Sequence, residues 1–103
     1  MADISCLDDA LVAEQAGADL LATTLAGTTE HGRPATAGPD LELAAKLTRN
    51  TRTLVVAEGR FHNPSQVAEA FACGAHAVVV GGAITRPQEI TRRFVAALPR
   101  PAC

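Results

Sequence analysis

A chain of 103 residues in which 48% are apolar and 19% charged has room for one small domain and the composition of a folded one, which excludes a disordered segment. Nine basic and eleven acidic residues spread along the chain give a net charge of -2, with no cationic stripe for nucleic acid or an anionic membrane surface. The only aromatic residues are Phe61, Phe71 and Phe94, so stacking platforms for single-stranded nucleic acid are absent as well, and a small-molecule partner fits better.

The first residues, Met1 to Ser5, carry neither a basic n-region nor an apolar h-region, and no window reaches the roughly 18 apolar residues of a membrane span. A cytoplasmic protein is the expectation. If Asp3 ends a strand, only Met1 and Ala2 precede it, where a strand usually runs ~5–6 residues. The chain is therefore expected to begin inside an element, truncated at its N-terminus.

Ala13 to Leu21 aligns with Ala70 to Val78 at an offset of 57 residues, position 13 on position 70. Each segment reads as the end of an amphipathic helix, a glycine C-cap at Gly17 or Gly74, and a short apolar run suited to a strand buried on both faces. Ala26 and Thr28 fall on Ala83 and Thr85, and with a two-residue gap Ala2-Asp3 falls on Ala57-Glu58, placing both carboxylates at strand ends. Thr24 to Asp40, rich in Gly, Thr and Pro, has no period and reads either as a functional loop or as disorder. Beyond it the pattern predicts a helix over Leu41 to Thr48, a strand over Thr53 to Ala57, a helix over Pro64 to Cys73 and a last helix over Pro87 to Leu98. Pro64 and Pro87 suit first helical turns, and Asn63 suits an N-cap. Alternation of strand and helix predicts an α/β fold with a parallel sheet of at most four β/α units. A complete eight-fold barrel takes roughly 200–250 residues. Residues 1–103 are thus expected to form a single partial domain, half of a (β/α)8 TIM barrel without its N-terminal half.

Ala77 to Pro87 reads as an apolar strand, a tight Gly81-Gly82 turn and a helix start. Bare backbone N–H groups near a helix N-terminus attract phosphate, and Arg86 is placed to clamp a phosphate oxygen. The alternative is a turn that only closes a β-to-α connection, with Arg86 solvated. Val55-Val56-Ala57-Glu58-Gly59-Arg60 places a carboxylate and a guanidinium at the mouth of an apolar strand, the end where barrel active sites are built. Glu58 is a candidate proton carrier. Its alternative is a rim ion pair with Arg60 or Arg86. Asp3 is the second strand-end acid, or else an N-cap for the helix after Ser5. Asp8 and Asp9 suit the first turn of that helix. His31, His62 and His76 share no metal spacing, and no metal is assigned. Cys6, Cys73 and Cys103 fit neither a zinc knuckle nor a closed disulfide framework.

Met1-Ala2-Asp3-Ile4-Ser5, Gly17-Ala18-Asp19, Thr23-Thr24-Leu25-Ala26-Gly27, Gly38-Pro39-Asp40, Ala57-Glu58-Gly59-Arg60 and the block Gly74 to Thr91 resemble bacterial N-acetylmannosamine-6-phosphate 2-epimerases. The resemblance runs nearly the whole chain and is most specific over Gly74 to Thr91. It implies interconversion of N-acetylmannosamine 6-phosphate and N-acetylglucosamine 6-phosphate by removal and return of the C2 proton, in amino-sugar and sialic-acid breakdown, with no cofactor. It also implies an acid/base role for Glu58, substrate contacts from Asp3, Arg60 and Arg86, and backbone phosphate contacts at Gly59, Gly81 and Gly82. The family's first four β/α units are missing, with the lysine that is its other proton-handling group; Lys46, the chain's only lysine, does not match it. The isolated chain is accordingly expected to be inactive. The alternative expectation is a non-catalytic half-barrel that binds phosphosugar weakly or self-associates across its open edges.

Overall fold

The computed structural model describes residues 1–101; Cys103 lies outside the described residues. Four parallel strands, β1 (Ala2–Asp3), β2 (Leu20–Ala22), β3 (Leu54–Glu58) and β4 (Ala77–Val79), form one sheet in sequence order. Helices α1 (Leu7–Gln15), α2 (Leu41–Asn50) and α3 (Pro64–Ala72) make the crossovers. After β4 come a short helix, α4 (Gly82–Thr85), and then α5 (Pro87–Ala96). The elements expected from the sequence are all present, with ends moved by one or two residues. Glu58 is the last residue of β3 rather than the first beyond it. Two short helical turns were not expected: a 3₁₀ turn over Thr23–Leu25 directly after β2, and α4 directly after the Gly81-Gly82 pair.

The internal repeat has a physical cause. At the end of α1, Gly17 N–H donates to Glu14 O and Ala18 N–H to Ala13 O; at the end of α3, Gly74 N–H donates to Phe71 O and Ala75 N–H to Ala70 O. Both are Schellman closures, which need a left-handed residue after the C-cap. Gly17 (φ 90°) and Gly74 (φ 96°) supply it. The same closure turns the chain from helix to strand twice. The start of α3 carries a full capping box, Asn63 Oδ1 accepting from Gln66 N–H and the Gln66 side chain from Asn63 N–H, ahead of Pro64 in the first turn.

Register fixes two faces. Ala2, Leu21, Val55, Ala57 and Val78 point to the helices, where Ile4, Leu21, Leu43, Leu47 and Val55 make one core cluster and Ala44, Ala57, Phe61, Ala70 and Ala75 another. Asp3, Ala22, Val56 and Ala77 are level with one another on the opposite face, and Glu58 and Val79 follow one pleat further on. This second face is only partly covered: Ala22 and Val56 are buried, while Leu54 is 49% and Val79 40% exposed. In an eight-stranded barrel it would look inward and be filled by side chains of the other strands. The radius of gyration, 15.9 Å, exceeds the about 13 Å of a compact chain this long, as an unclosed arc of β/α units requires. No helix among the described residues is long and apolar enough to cross a membrane.

The segment 24–40 is folded onto the body. Arg60 donates to Gly38 O at 2.9 Å and Ala26 O at 2.7 Å, and Arg33 reaches Asp40 and Glu42. Asp40 also caps α2 by accepting from Leu43 N–H at 2.9 Å.

Candidate active site

The strand ends converge on Glu58. In a parallel ladder a residue's N–H and C=O point to the same neighbour, and those of Glu58 point toward β2. But β2 stops at Ala22. The hydroxyl of Thr23 takes over, accepting from Glu58 N–H and donating to Glu58 O, both at 3.0 Å. Thr23 is 3% exposed, so this clasp is one of few polar features inside the core. The next residue holds the side chain: Thr24 Oγ1 lies 2.8 Å from Glu58 Oε2 and 3.0 Å from Asp3 Oδ1. A tight 3₁₀ turn makes this division of labour between adjacent residues possible.

Asp3 therefore faces the site. It is not the N-cap of α1; that position is Cys6, which makes no side-chain capping bond, and Asp9 ties the helix start by accepting from Ser5 N–H and Oγ. Those two bonds, the Ser5 hydroxyl's first, hold the Asp9 carboxyl below its ordinary value.

One cleft of about 190 Å³ collects Glu58, Gly59, Arg60, Gly81 and Gly82, together with Phe61, His62, Val79, Ala83 and Glu89. Its two backbone walls are the Gly59 turn (φ 107°) after β3 and the Gly81-Gly82 turn after β4. No atom lies within 4 Å of where a Cβ on Gly59 or Gly81 would stand, so both present open backbone. The first N–H groups of α4 have no intrahelical acceptor and begin at Gly82.

Neither arginine pairs with Glu58 among the described residues. Arg60 holds a left-handed backbone (φ 59°) and spends its guanidinium on the two loop carbonyls, so although it lines the cleft it acts as a strap on segment 24–40. Arg86 sits at the cleft margin, paired with Glu89 at 3.1 Å in an exposed i, i+3 ion pair. Glu89 itself lines the cleft. Lys46, on α2, lines a different cleft with Ser5, Cys6, His31 and Asp40. Cys6 and Cys73 are free and half-buried.

Sequence reasoning assigned no role to Thr23 and Thr24. Their signal was present: two adjacent hydroxyl side chains at the end of a strand whose neighbour ends in a carboxylate, where strands usually end in apolar or small residues.

Comparison with known proteins gives the arrangement a family. The family model described as NanE, "Putative N-acetylmannosamine-6-phosphate epimerase", matches residues 1–100. A protein of Caldanaerobacter subterraneus subsp. tengcongensis named "Putative N-acetylmannosamine-6-phosphate 2-epimerase" is 52% identical over 95 residues, 92% of this chain and 40% of the relative. One of the same name from Cutibacterium acnes is 51% identical over 100 residues, 95% of this chain and 43% of the relative. The solved N-acetylmannosamine-6-phosphate 2-epimerase of Clostridium perfringens superposes with a TM-score of 0.88 at 43% identity, over 95% of this chain and 42% of that one. The chain thus spans under half the length of these relatives, and its four parallel β/α units are part of a barrel. From the match of residues 1–100 to the family model and its identity to these relatives, the chain belongs to the N-acetylmannosamine-6-phosphate epimerase family.

Proposed function

We propose that this chain supplies one wall of an epimerase site that inverts C2 of N-acetylmannosamine 6-phosphate to give N-acetylglucosamine 6-phosphate, with Glu58 as a proton carrier. The observation that carries the reading is the single cleft joining Glu58 to the bare turns at Gly59 and Gly81-Gly82. A carboxylate beside backbone donors suits a substrate with an acidic carbon at one end and a phosphate at the other.

In the open-chain sugar, Glu58 takes the C2 hydrogen as a proton. The C–H pair becomes the C1–C2 double bond of an enolate, and the C1 oxygen gains the charge. Return of a proton to the opposite face of C2 completes the inversion, with no oxidation or reduction. Asp3 contacts the sugar, while Gly59, Gly81 and Gly82 direct N–H groups to the 6-phosphate. Arg86 joins them by exchanging Glu89 for a phosphate oxygen; an exposed ion pair contributes only about 0.2–1 kcal/mol, so a phosphate dianion displaces it readily. Arg60 contributes by holding segment 24–40 over the strand ends.

One carboxylate serves one face of C2, so inversion requires a second proton-handling group. Lys46 does not fill that role, because it lines a separate cleft on α2. The isolated chain therefore binds without turning over. The test is formation of N-acetylglucosamine 6-phosphate from N-acetylmannosamine 6-phosphate, followed by NMR. The 103-residue chain should give none, whereas the same chain joined to the preceding portion of the Caldanaerobacter relative should convert it. Conversion by the isolated chain would show that one wall suffices.

The exposure of Leu54 and Val79 on the inner face of β3 and β4 favours a second reading, in which two copies cover each other's sheets. Sedimentation decides it: a monomer at micromolar concentration removes the pairing.

A further inference from the structure

We propose that Thr24 is a positioning residue of this site, keeping the Glu58 carboxyl in one orientation in both of its protonation states. The inference rests on the reading of Glu58 as proton carrier.

Thr24 Oγ1 stands within hydrogen-bond distance of Glu58 Oε2 (2.8 Å) and Asp3 Oδ1 (3.0 Å). A hydroxyl has one hydrogen to give and two lone pairs to receive with. With both carboxylates ionised, it donates to one at a time. Once Glu58 has taken the C2 proton, its new O–H donates to Thr24 Oγ1, and the Thr24 hydrogen turns wholly to Asp3. One proton has moved, from carbon to Glu58, and Glu58 has kept the same partner throughout.

Among the described residues, Thr24 gives the Glu58 carboxyl its one side-chain hydrogen bond. Arg60, His62 and Glu89 line the cleft around Glu58, but the Arg60 guanidinium is committed to Gly38 O and Ala26 O, and Glu89 is paired with Arg86. Next to Asp3 lie Asp8 and Asp9, with Asp9 bonded to Ser5. Thr24 is also stiff, since its β-branched side chain follows a backbone pinned by the Thr23 clasp.

The experiment compares the 103-residue chain with Thr24→Val, which keeps the shape and removes the hydroxyl, and Thr24→Ser, which keeps the hydroxyl. Three-bond scalar couplings across the Glu58 χ1 angle are read at neutral pH. One rotamer is expected in the wild type and in Thr24→Ser, and averaged couplings in Thr24→Val. A Glu58 that stays in one rotamer in Thr24→Val overturns the proposal. In the joined, full-length barrel, Thr24→Val should lower kcat for C2 exchange about tenfold to hundredfold, the worth of a hydrogen bond to a charged group, with KM changed by less than about twofold. Thr24→Ser should restore the rate. If Glu58 loosens in Thr24→Val and the rate does not fall, Thr24 positions Glu58 as proposed, and the proton-carrier reading of Glu58 is what fails. A fall in rate with Glu58 still fixed overturns the positioning role.

Discussion

Replacing Thr23 by Val is nearly isosteric and removes one hydroxyl, yet it strips partners from two backbone groups. The N–H and C=O of Glu58 both bond to that oxygen at 3.0 Å, and β2 has no further backbone to offer them. A buried polar group left without a partner costs about 1–3 kcal/mol. Glu58 is only half-buried, so water partly serves its backbone, which places the sum for two groups near the low end, at about 2 kcal/mol. For a chain this long that corresponds to a fall in Tm of roughly 8–16 °C. Thr23→Ser keeps the clasp and loses one methyl, worth about 1 kcal/mol. Urea titration followed by circular dichroism separates the two, provided the m-values agree. If Thr23→Val lies within about 0.5 kcal/mol of the wild type, or Thr23→Ser is as damaging as Thr23→Val, the clasp is not what ends the β2–β3 ladder.

Three further outcomes follow from the same geometry. Gly17→Ala and Gly74→Ala both force a left-handed alanine, costing about 1–2 kcal/mol against about 0.4–1 kcal/mol regained from the unfolded chain. Denaturant midpoints should show Gly74→Ala as the worse, because its Cβ would meet Thr48 at 3.3 Å while the Gly17 site is open. Glu14 accepts from Thr53 Oγ1, Thr53 N–H and Arg52 N–H, led by the Thr53 hydroxyl, and its carboxyl is held below the ordinary value. The resulting stabilisation is full above 4.5, the unfolded-state value, and fades as pH falls through the lower folded-state value. Glu14→Gln should flatten that part of the acid limb in a melting series; an unchanged limb would count against the anchor. Arg60→Ala should raise amide exchange across residues 27–38 and spare β3, and uniform exchange would show that the strap holds nothing.

The repeat, the four β/α units and the capping residues Asn63, Gly17 and Gly74 were legible in the sequence because each is a local event: a period, a cap, a left-handed turn. The convergence of Glu58 with Gly81-Gly82 was also readable, since adjacent parallel strands bring their C-terminal ends together. What escaped were contacts fixed by register. Thr23 and Thr24 matter because β2 is two residues shorter than the strand beside it, which no periodicity reports. Arg60 lines the cleft beside Glu58, and its guanidinium also bonds two carbonyls of segment 24–40; its positive φ is a conformation that nothing in the residue type announces.

The central claim, that Glu58 carries the C2 proton, is tested most directly by Glu58→Gln in the joined full-length barrel, with deuterium uptake at C2 of N-acetylmannosamine 6-phosphate followed by NMR. The amide keeps the shape and the Thr24 contact but cannot take a proton, so uptake should fall by at least about 100-fold while the phosphosugar still binds. Uptake within a few-fold of the wild type would contradict the account and move the proton transfer to another residue.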